Sequence, residues 1–489
     1  MLQLQAIDLK EVKTETMVIP VCEDKEIYGS RIISSLVKKA KELKDFKGEK
    51  DDEISFYHPS EVKADRIIFL GLGKEEKINY EVMRKISGKA VKKCIKKKLS
   101  EVLFAVPSAK NINMDMYLLL EAMMEGAYLG NHLFDKYKTD KKSKPLKNLN
   151  FLAGPEAAVK FSGLPSQVAS ICEGTILARE WVSTPSNDKK PDQFAESIIT
   201  SAEKEKINVS LLGEKELEEE NFGAILSVSR GSQCKPKLVI LEYRPDAAKK
   251  TIVLVGKGVT FDSGGINLKP AGSLEDMKMD MSGAAAVAAT IITAARLKLE
   301  INLIGALPIV ENMPSGDASR PGDIIKSYSG KTVEIGNTDA EGRLILIDAI
   351  SYMIKKYKPQ TLIDIATLTG ACVVALGEKI AGVFSFDDQL AQTIIQAGEK
   401  TYERCWRLPL PDDYKELLKS DFADLKNVSS SRWGGAITAS LFLSEFVNDT
   451  TWAHIDIAGP AYIKKENEYC GVGGTGFGVR LFCDILKKL

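Results

Sequence analysis

Four short runs, Leu238–Glu242, Ile252–Val255, Ile301–Leu307 and Thr361–Ile365, are apolar almost without interruption and alternate with helical patterns. A strand with one wet face alternates apolar and polar residues. A run that is apolar at nearly every step is buried on both faces, as in a largely parallel sheet covered by helices on either side. That feature predicts an α/β core for the later part of the chain. The first third repeats the alternation on a smaller scale, with candidate strands at Thr16–Val21, Arg66–Leu72, Glu101–Val106 and Leu149–Leu152 and helical stretches such as Met114–Lys136. Gly, Pro, Ser and Asn gather at Ser162–Pro165 and Thr184–Pro191, on either side of a helical pattern from Gln167 to Trp181. The expected organisation is α/β in two domains: a small N-terminal domain over residues 1–160, a linking helix over 161–180, and a larger domain over 181–489 with a mixed, mostly parallel sheet flanked by helices. A chain of 489 residues is long enough for both cores.

Charge and rare residues narrow the chemistry. With 67 Lys+Arg against 67 Asp+Glu, the chain lacks the basic excess of a protein built mainly to hold nucleic acid or an anionic membrane. Lysines do gather at Lys92, Lys93, Lys96, Lys97 and Lys98 and between Lys136 and Lys147, where they read as solvated faces. The only histidines, His58, His132 and His454, lie too far apart in sequence for a zinc centre on one helix or hairpin. The eight cysteines are scattered without a CxxC pair, which argues against both a thiolate zinc site and a disulfide scaffold. The opening MLQLQAIDLKEVKTE has acids and lysines where a signal peptide needs an apolar run, so a cytoplasmic location is expected. Ala284–Leu297 is too short for a bilayer and reads as a core helix.

Several short motifs match familiar patterns without their context. Gly471-Val-Gly473-Gly-Thr-Gly476 fits GxGxxG, but the fingerprint needs an opening βαβ unit and an acid about twenty residues on, so the glycines read as a tight turn. Gly256-Lys257-Gly258 lacks phosphate-loop spacing, and Ser35-Leu-Val-Lys38 lies in an ordinary amphipathic pattern.

One region differs chemically from the rest. The apolar strand Ile252–Val255 runs into Lys257, then a glycine-rich loop carries Asp262, Lys269 and Asp280, the last just ahead of an alanine-rich helix starting near Ser282. Gly264 and Gly265 permit backbone angles that would let the loop close around something small. A second acidic segment, Asn337-Thr-Asp339-Ala-Glu341-Gly-Arg343-Leu344, precedes a helical pattern from Leu344 to Tyr357. If extended, it would place Asp339, Glu341 and Arg343 on one face. Singly, these residues have ordinary roles: Thr338-x-x-Glu341 fits a capping box, Asp280 a first-turn acid, Asp262 a turn residue and the lysines solvated loops. Together, four carboxylates and two lysines on glycine-flanked loops at strand exits need neutralising charge. With histidine and cysteine scarce, oxygen ligands and a neutral lysine amine suit Zn²⁺, Mn²⁺ or Mg²⁺. Two such ions sharing carboxylates would generate hydroxide at neutral pH, the chemistry of a two-metal hydrolase of undetermined substrate.

These residues resemble the leucyl (cytosol) aminopeptidase family. NTDAEGRL at Asn337–Leu344 is similar to its signature, and further likeness lies in VGKGVTFDSGG (Val255–Gly265), MKMDMSGAAAV (Met277–Val287), SGKTVEI, ATLTGA (Ala366–Ala371), WAHIDIAGPA (Trp452–Ala461) and GGTGFGVR (Gly473–Arg480). The resemblance is close over roughly residues 170–489. It implies a cytosolic metallo-aminopeptidase that releases N-terminal Leu and other bulky apolar residues from peptides with a free N-terminus, through attack of a metal-bridging hydroxide. Asp262 and Glu341 would bridge two divalent ions, with Lys257 and Asp280 completing one shell and Asp339 the other; zinc or manganese are the first expectations, with magnesium or cobalt as further options. Lys269 would stabilise the oxyanion and Arg343 would hold a bicarbonate acting as general base. Met277, Asn337, Thr367, Leu368 and Ala458 would line the pocket for the first side chain, while each also reads as core packing. His454 reads as a hydrogen-bonded structural histidine. The family also implies a homohexamer. Two alternatives remain open at this stage: a two-metal phosphoesterase, and a DNA-binding regulatory role for the N-terminal domain, for which the lysine clusters are the sequence support.

Overall fold

The computed structural model describes residues 1–6, 9–246, 248 and 250–489, and the chain forms two compact units. One unit comprises Met1–Cys172 with Lys465–Val472; the other comprises Glu173–Lys464 and Gly473–Leu489. Among the described residues the first unit holds six strands, β1 (Leu2–Gln5), β2 (Met17–Cys22), β3 (Glu53–Tyr57), β4 (Arg66–Gly73), β5 (Glu101–Ala105) and β6 (Asn148–Leu152), in the order β1-β6-β5-β2-β4-β3. Neighbours are parallel except β3 against β4 at one edge. Helices Arg31–Glu42, Tyr80–Lys96 and Met116–Gly130 start at Ser30, Asn79 and Asp115, each of which accepts a backbone N–H three residues on. Residues 465–472 complete this unit: Lys92 Nζ reaches Glu466 Oε2 at 2.9 Å and Tyr469 Oη reaches Glu81 Oε1 at 3.1 Å. Lys93 pairs with Glu53, so both lysines sit against acids.

The second unit carries β7 (Asn208–Leu212), β8 (Lys237–Tyr243), β9 (Thr251–Gly256), β10 (Gly258–Asp262), β11 (Asn302–Asn312), β12 (Ile324–Lys326), β13 (Thr332–Glu334), β14 (Thr361–Ala366), β15 (Ala381–Phe384), β16 (Cys405–Arg407), β17 (Leu425–Lys426) and β18 (Thr451–Asp456). The main sheet runs β16-β15-β18-β14-β9-β11-β8-β7, with β10 beside the far end of β11; β12, β13 and β17 form a small separate sheet. The central strands β18, β14, β9 and β11 are mutually parallel. Ile252 and Leu254 of β9 pack with the helix Ser282–Leu297 on one face, and Val253 and Val255 pack with the helix Glu341–Tyr357 on the other. That two-sided burial accounts for the uninterrupted apolar runs.

Two local expectations need correction. The apolar run ending at Leu307 continues through Pro308 to Asn312, because Ile309 and Val310 stay buried and β10 pairs along this extension. The helix expected from Leu344 starts at Glu341, so Asp339, Glu341 and Arg343 do not lie on one extended face; Glu341 and Arg343 occupy its first turn. The glycines of 471–476 do not form the expected tight turn: Gly473 and Gly474 make a short strand paired antiparallel to Tyr462 and Ile463. Among the described residues, no helix is long and apolar enough to cross a membrane.

Candidate metal centre

The chemistry-bearing residues leave from the carboxyl ends of the central parallel strands, the edge where open α/β sheets place their ligands. Lys257 follows β9, Asp262 closes β10, and Thr367 follows β14. Asp280 stands two residues before the helix Ser282–Leu297, and Glu341 begins the helix Glu341–Tyr357. Each is therefore anchored by a buried strand or helix end rather than by a free loop.

Oxygens of Asp262, Asp280 and Glu341 lie within 4.8 Å of one another, and all three side chains are buried. Two lysines thread this cluster. Lys257 Nζ is 2.8 Å from both Asp280 Oδ1 and Glu341 Oε1 and donates to the Thr367 carbonyl at 2.9 Å. Lys269 Nζ is 2.8 Å from Asp262 Oδ2 and 2.6 Å from Asp339 Oδ1. Gly342 makes room for the first of these lysines, since a Cβ there would stand 2.6 Å from Lys257 Cε. Gly264 turns the loop behind Asp262 with a φ of 87°, a conformation open to glycine, and donates its N–H to Asp262 Oδ1 at 2.9 Å.

Crowding shows in the electrostatics. Burial, reinforced by Asp262, pushes Glu341 up to about 8 against the pull of Lys257. Burial raises Asp280 to about 6 although Lys257 opposes it. Asp339 is raised as well, by burial and then by Asp262. Burial disfavours the Lys257 and Lys269 ammoniums, but the carboxylates outweigh it and hold both above their ordinary values. Four carboxylates against two ammonium groups leave the cluster short of positive charge.

The donor set fits divalent cations on an observation independent of charge. Asp280 Oδ2 and Glu341 Oε2 are buried without a hydrogen-bond partner among the described residues. A buried carboxylate oxygen left bare costs roughly 1–3 kcal/mol or more, and cations coordinated there would remove that cost. All five residues expected to hold metal, Lys257, Asp262, Asp280, Asp339 and Glu341, are thus brought together with Lys269. Arg343 is buried nearby, donates from Nη1 to the Asn427 carbonyl at 2.6 Å, and keeps Nε without a partner among the described residues; burial lowers the guanidinium to about 10.

Of the expected pocket residues, Thr367 is turned into the cluster, donating from Oγ1 to Asp280 Oδ1 at 2.7 Å. Met277, Asn337, Leu368 and Ala458 are half-buried. His454 is fully buried with Nδ1 2.6 Å from Asp364 Oδ1, while Asp364 Oδ2 accepts from Trp452 Nε1 at 2.7 Å. The capping-box reading of Thr338 does not hold: its hydroxyl donates to the Gly264 carbonyl at 2.7 Å and accepts from Asn267 N–H at 2.9 Å, sewing the two acidic segments together.

Supporting residues that no sequence motif singled out also emerge. Asn312, ending β11, donates from Nδ2 to Asp262 Oδ1 and to the Thr338 carbonyl, both at 2.9 Å. Asn427 accepts the Gly336 and Asn337 N–H groups on Oδ1 and donates to the Asn337 carbonyl, clamping the approach to Asp339. Strand-exit position could have flagged Asn312; Asn427 lies on a stretch with no local mark.

Comparison with known proteins follows the same division of the chain. The profile for the cytosol aminopeptidase family catalytic domain matches residues 176–483, and that for its N-terminal domain matches residues 22–141. A "Probable cytosol aminopeptidase" of Chlorobium limicola is 40% identical over 506 aligned residues, covering 100% of this chain and 99% of that protein. One of the same description from Clostridium perfringens is 38% identical, covering 98% of each. Among solved structures, "Bottromycin maturation enzyme BotP in complex with Mn" superposes with a TM-score of 0.86 at 32% identity, covering 97% of this chain and 99% of that one.

Proposed function

The chain belongs to the cytosol aminopeptidase family, and on that footing we propose that it is a cytoplasmic enzyme releasing N-terminal leucine and other bulky apolar residues from peptides. One observation carries the reading: carboxylates from separate strand and helix ends meet in one buried cluster, with oxygens of Asp280 and Glu341 left bare. Lys257, Asp262, Asp280, Asp339 and Glu341 would hold two divalent ions, manganese or zinc, and a neighbouring fold of 32% identity is described with Mn. Such ions supply Lewis acidity toward the scissile carbonyl and a hydroxide at neutral pH.

The remaining work falls to the chain's own groups. Lys269 stays charged beside Asp262, so it can meet negative charge as it develops on the carbonyl oxygen. Arg343, anchored at Nη1 with Nε still open, suits a planar anion bound through two N–H groups, such as a bicarbonate placed to take up a proton. Met277 and Leu368 would give the first side chain an apolar setting, with Asn337 and Ala458 beside it. Thr367 would serve by fixing Asp280. We include in the reading a homohexamer, the assembly that the resemblance to the family implies.

The test is hydrolysis of a leucyl amide by wild type and Asp262→Ala, before and after chelation and after Mn²⁺ or Zn²⁺ restoration. Wild type should lose activity on chelation and regain it on restoration, whereas the variant should stay inactive in every arm. Substantial turnover by Asp262→Ala would overturn the assignment.

A further inference from the structure

The parallel strands β14 and β18 run side by side with Ala366 opposite Asp456, and Ile457 N–H donates to the Ala366 carbonyl at 2.8 Å. Beyond that point the ladder pairing ends, one segment passing through Thr367, Leu368 and Thr369 into the helix Gly370–Leu376, the other through Ala458. A side chain then takes over from the backbone. Asp456, 1% exposed, accepts Leu368 N–H and Ala458 N–H on the same oxygen, Oδ1, at 3.1 Å each. Its Oδ2 accepts the Thr369 hydroxyl at 2.7 Å, and that hydroxyl in turn accepts Cys372 N–H at 3.1 Å, capping the helix. One carboxylate therefore ties the backbone at Leu368 to the backbone at Ala458.

We propose that Asp456 is a positioning residue for substrate selection: by drawing Leu368 and Ala458 onto one oxygen it fixes the width of the pocket for the substrate's first side chain. The proposal rests on the aminopeptidase reading and on the placing of those two residues at the pocket. Asp456 would touch no substrate and would act only through the two backbone segments. A misfit of about one methylene in an apolar pocket changes discrimination between substrates by roughly 10–200-fold, whereas a carboxylate that merely held the fold would change the amount of native enzyme and leave its selectivity intact.

The experiment compares leucyl and alanyl amides on wild type, Asp456→Ala, Asp456→Asn and Thr369→Val, with metal content and far-ultraviolet circular dichroism recorded for each. Asp456→Ala loses both N–H contacts. It should raise KM for the leucyl amide by roughly 10-fold or more, keep kcat within about 3-fold, and erode the preference for leucine over alanine. Asp456→Asn keeps one oxygen for the two N–H groups, and Thr369→Val leaves Oδ1 untouched. Both should therefore hold KM and the preference within about 2-fold even where Tm falls. A folded, metal-loaded Asp456→Ala with unchanged KM and preference would overturn the proposal. So would failure of Asp456→Ala to fold together with a wild-type preference lost in Thr369→Val, since the carboxylate would then be a determinant of the fold. Should Asp456→Ala fail to fold while Asp456→Asn and Thr369→Val both retain KM and preference, Asp456→Ser is read by the Asp456→Ala criteria, and its failure to fold also counts against the proposal. Wild type inactive on both amides would sink the aminopeptidase reading instead, a separate outcome.

Discussion

A buried histidine whose partner is an acid makes stability depend on pH in a direction that can be worked out. Burial disfavours charge on His454, but Asp364 at 2.6 Å, helped by Asp456 and opposed by Arg343, holds its pKa above 6.5. The folded state therefore binds the proton more tightly than the unfolded chain. The stabilisation is full below the unfolded value and is lost as pH rises through the higher folded value. The Tm gap between wild type and His454→Gln should be largest at about pH 6 and narrow in alkaline buffer; a gap that widens with pH would show that the imidazole is neutral in the folded protein. Residues such as His454 and Asp262 were legible in sequence because they stand in motifs. Asp456 shares a motif with His454 that gives no hint of what its carboxylate holds, Asn312 has only its strand-exit position, and Asn427 has no local mark at all, because the partners of each are set by the fold.

The strands were the most readable elements, since burial on both faces leaves a continuous apolar record whatever the loops do. Element ends were less readable. Pro308 interrupts the apolar record inside β11, and the helix Glu341–Tyr357 starts three residues before its apolar pattern because its first turn is given over to the site. Gly342 in that turn supports a prediction. The atom its missing Cβ would strike is near the tip of Lys257, at 2.6 Å from Cε and 2.8 Å from Nζ. A flexible tip can yield, so Gly342→Ala should fold with a stability change of about 1 kcal/mol. Lys257 would then lose its place between Asp280 and Glu341, and Mn²⁺ affinity by calorimetric titration should fall by roughly 10-fold or more. Unchanged affinity would mean that the lysine adjusts without disturbing the carboxylates.

At the scale of the whole molecule, all four tryptophans, Trp181, Trp406, Trp433 and Trp452, belong to the second unit. Tryptophan fluorescence therefore follows the unit that carries the metal centre. Ligand bound only to the native state stabilises it by about 2.7 kcal/mol at a hundredfold excess over Kd. Mn²⁺ or Zn²⁺ should raise the fluorescence-detected Tm of wild type and leave that of Asp262→Ala nearly unmoved; equal shifts in both would place the binding elsewhere. The first unit has another peculiarity, in the return of residues 465–472 to it. A ribosome delivers Met1–Cys172 long before that short piece, with all of 173–464 to be made in between. Until then Tyr469 is missing from Glu81 and Glu466 from Lys92, so the nascent unit waits unfinished, and a gene fragment cut after residue 172 would encode a body permanently lacking one of its own parts.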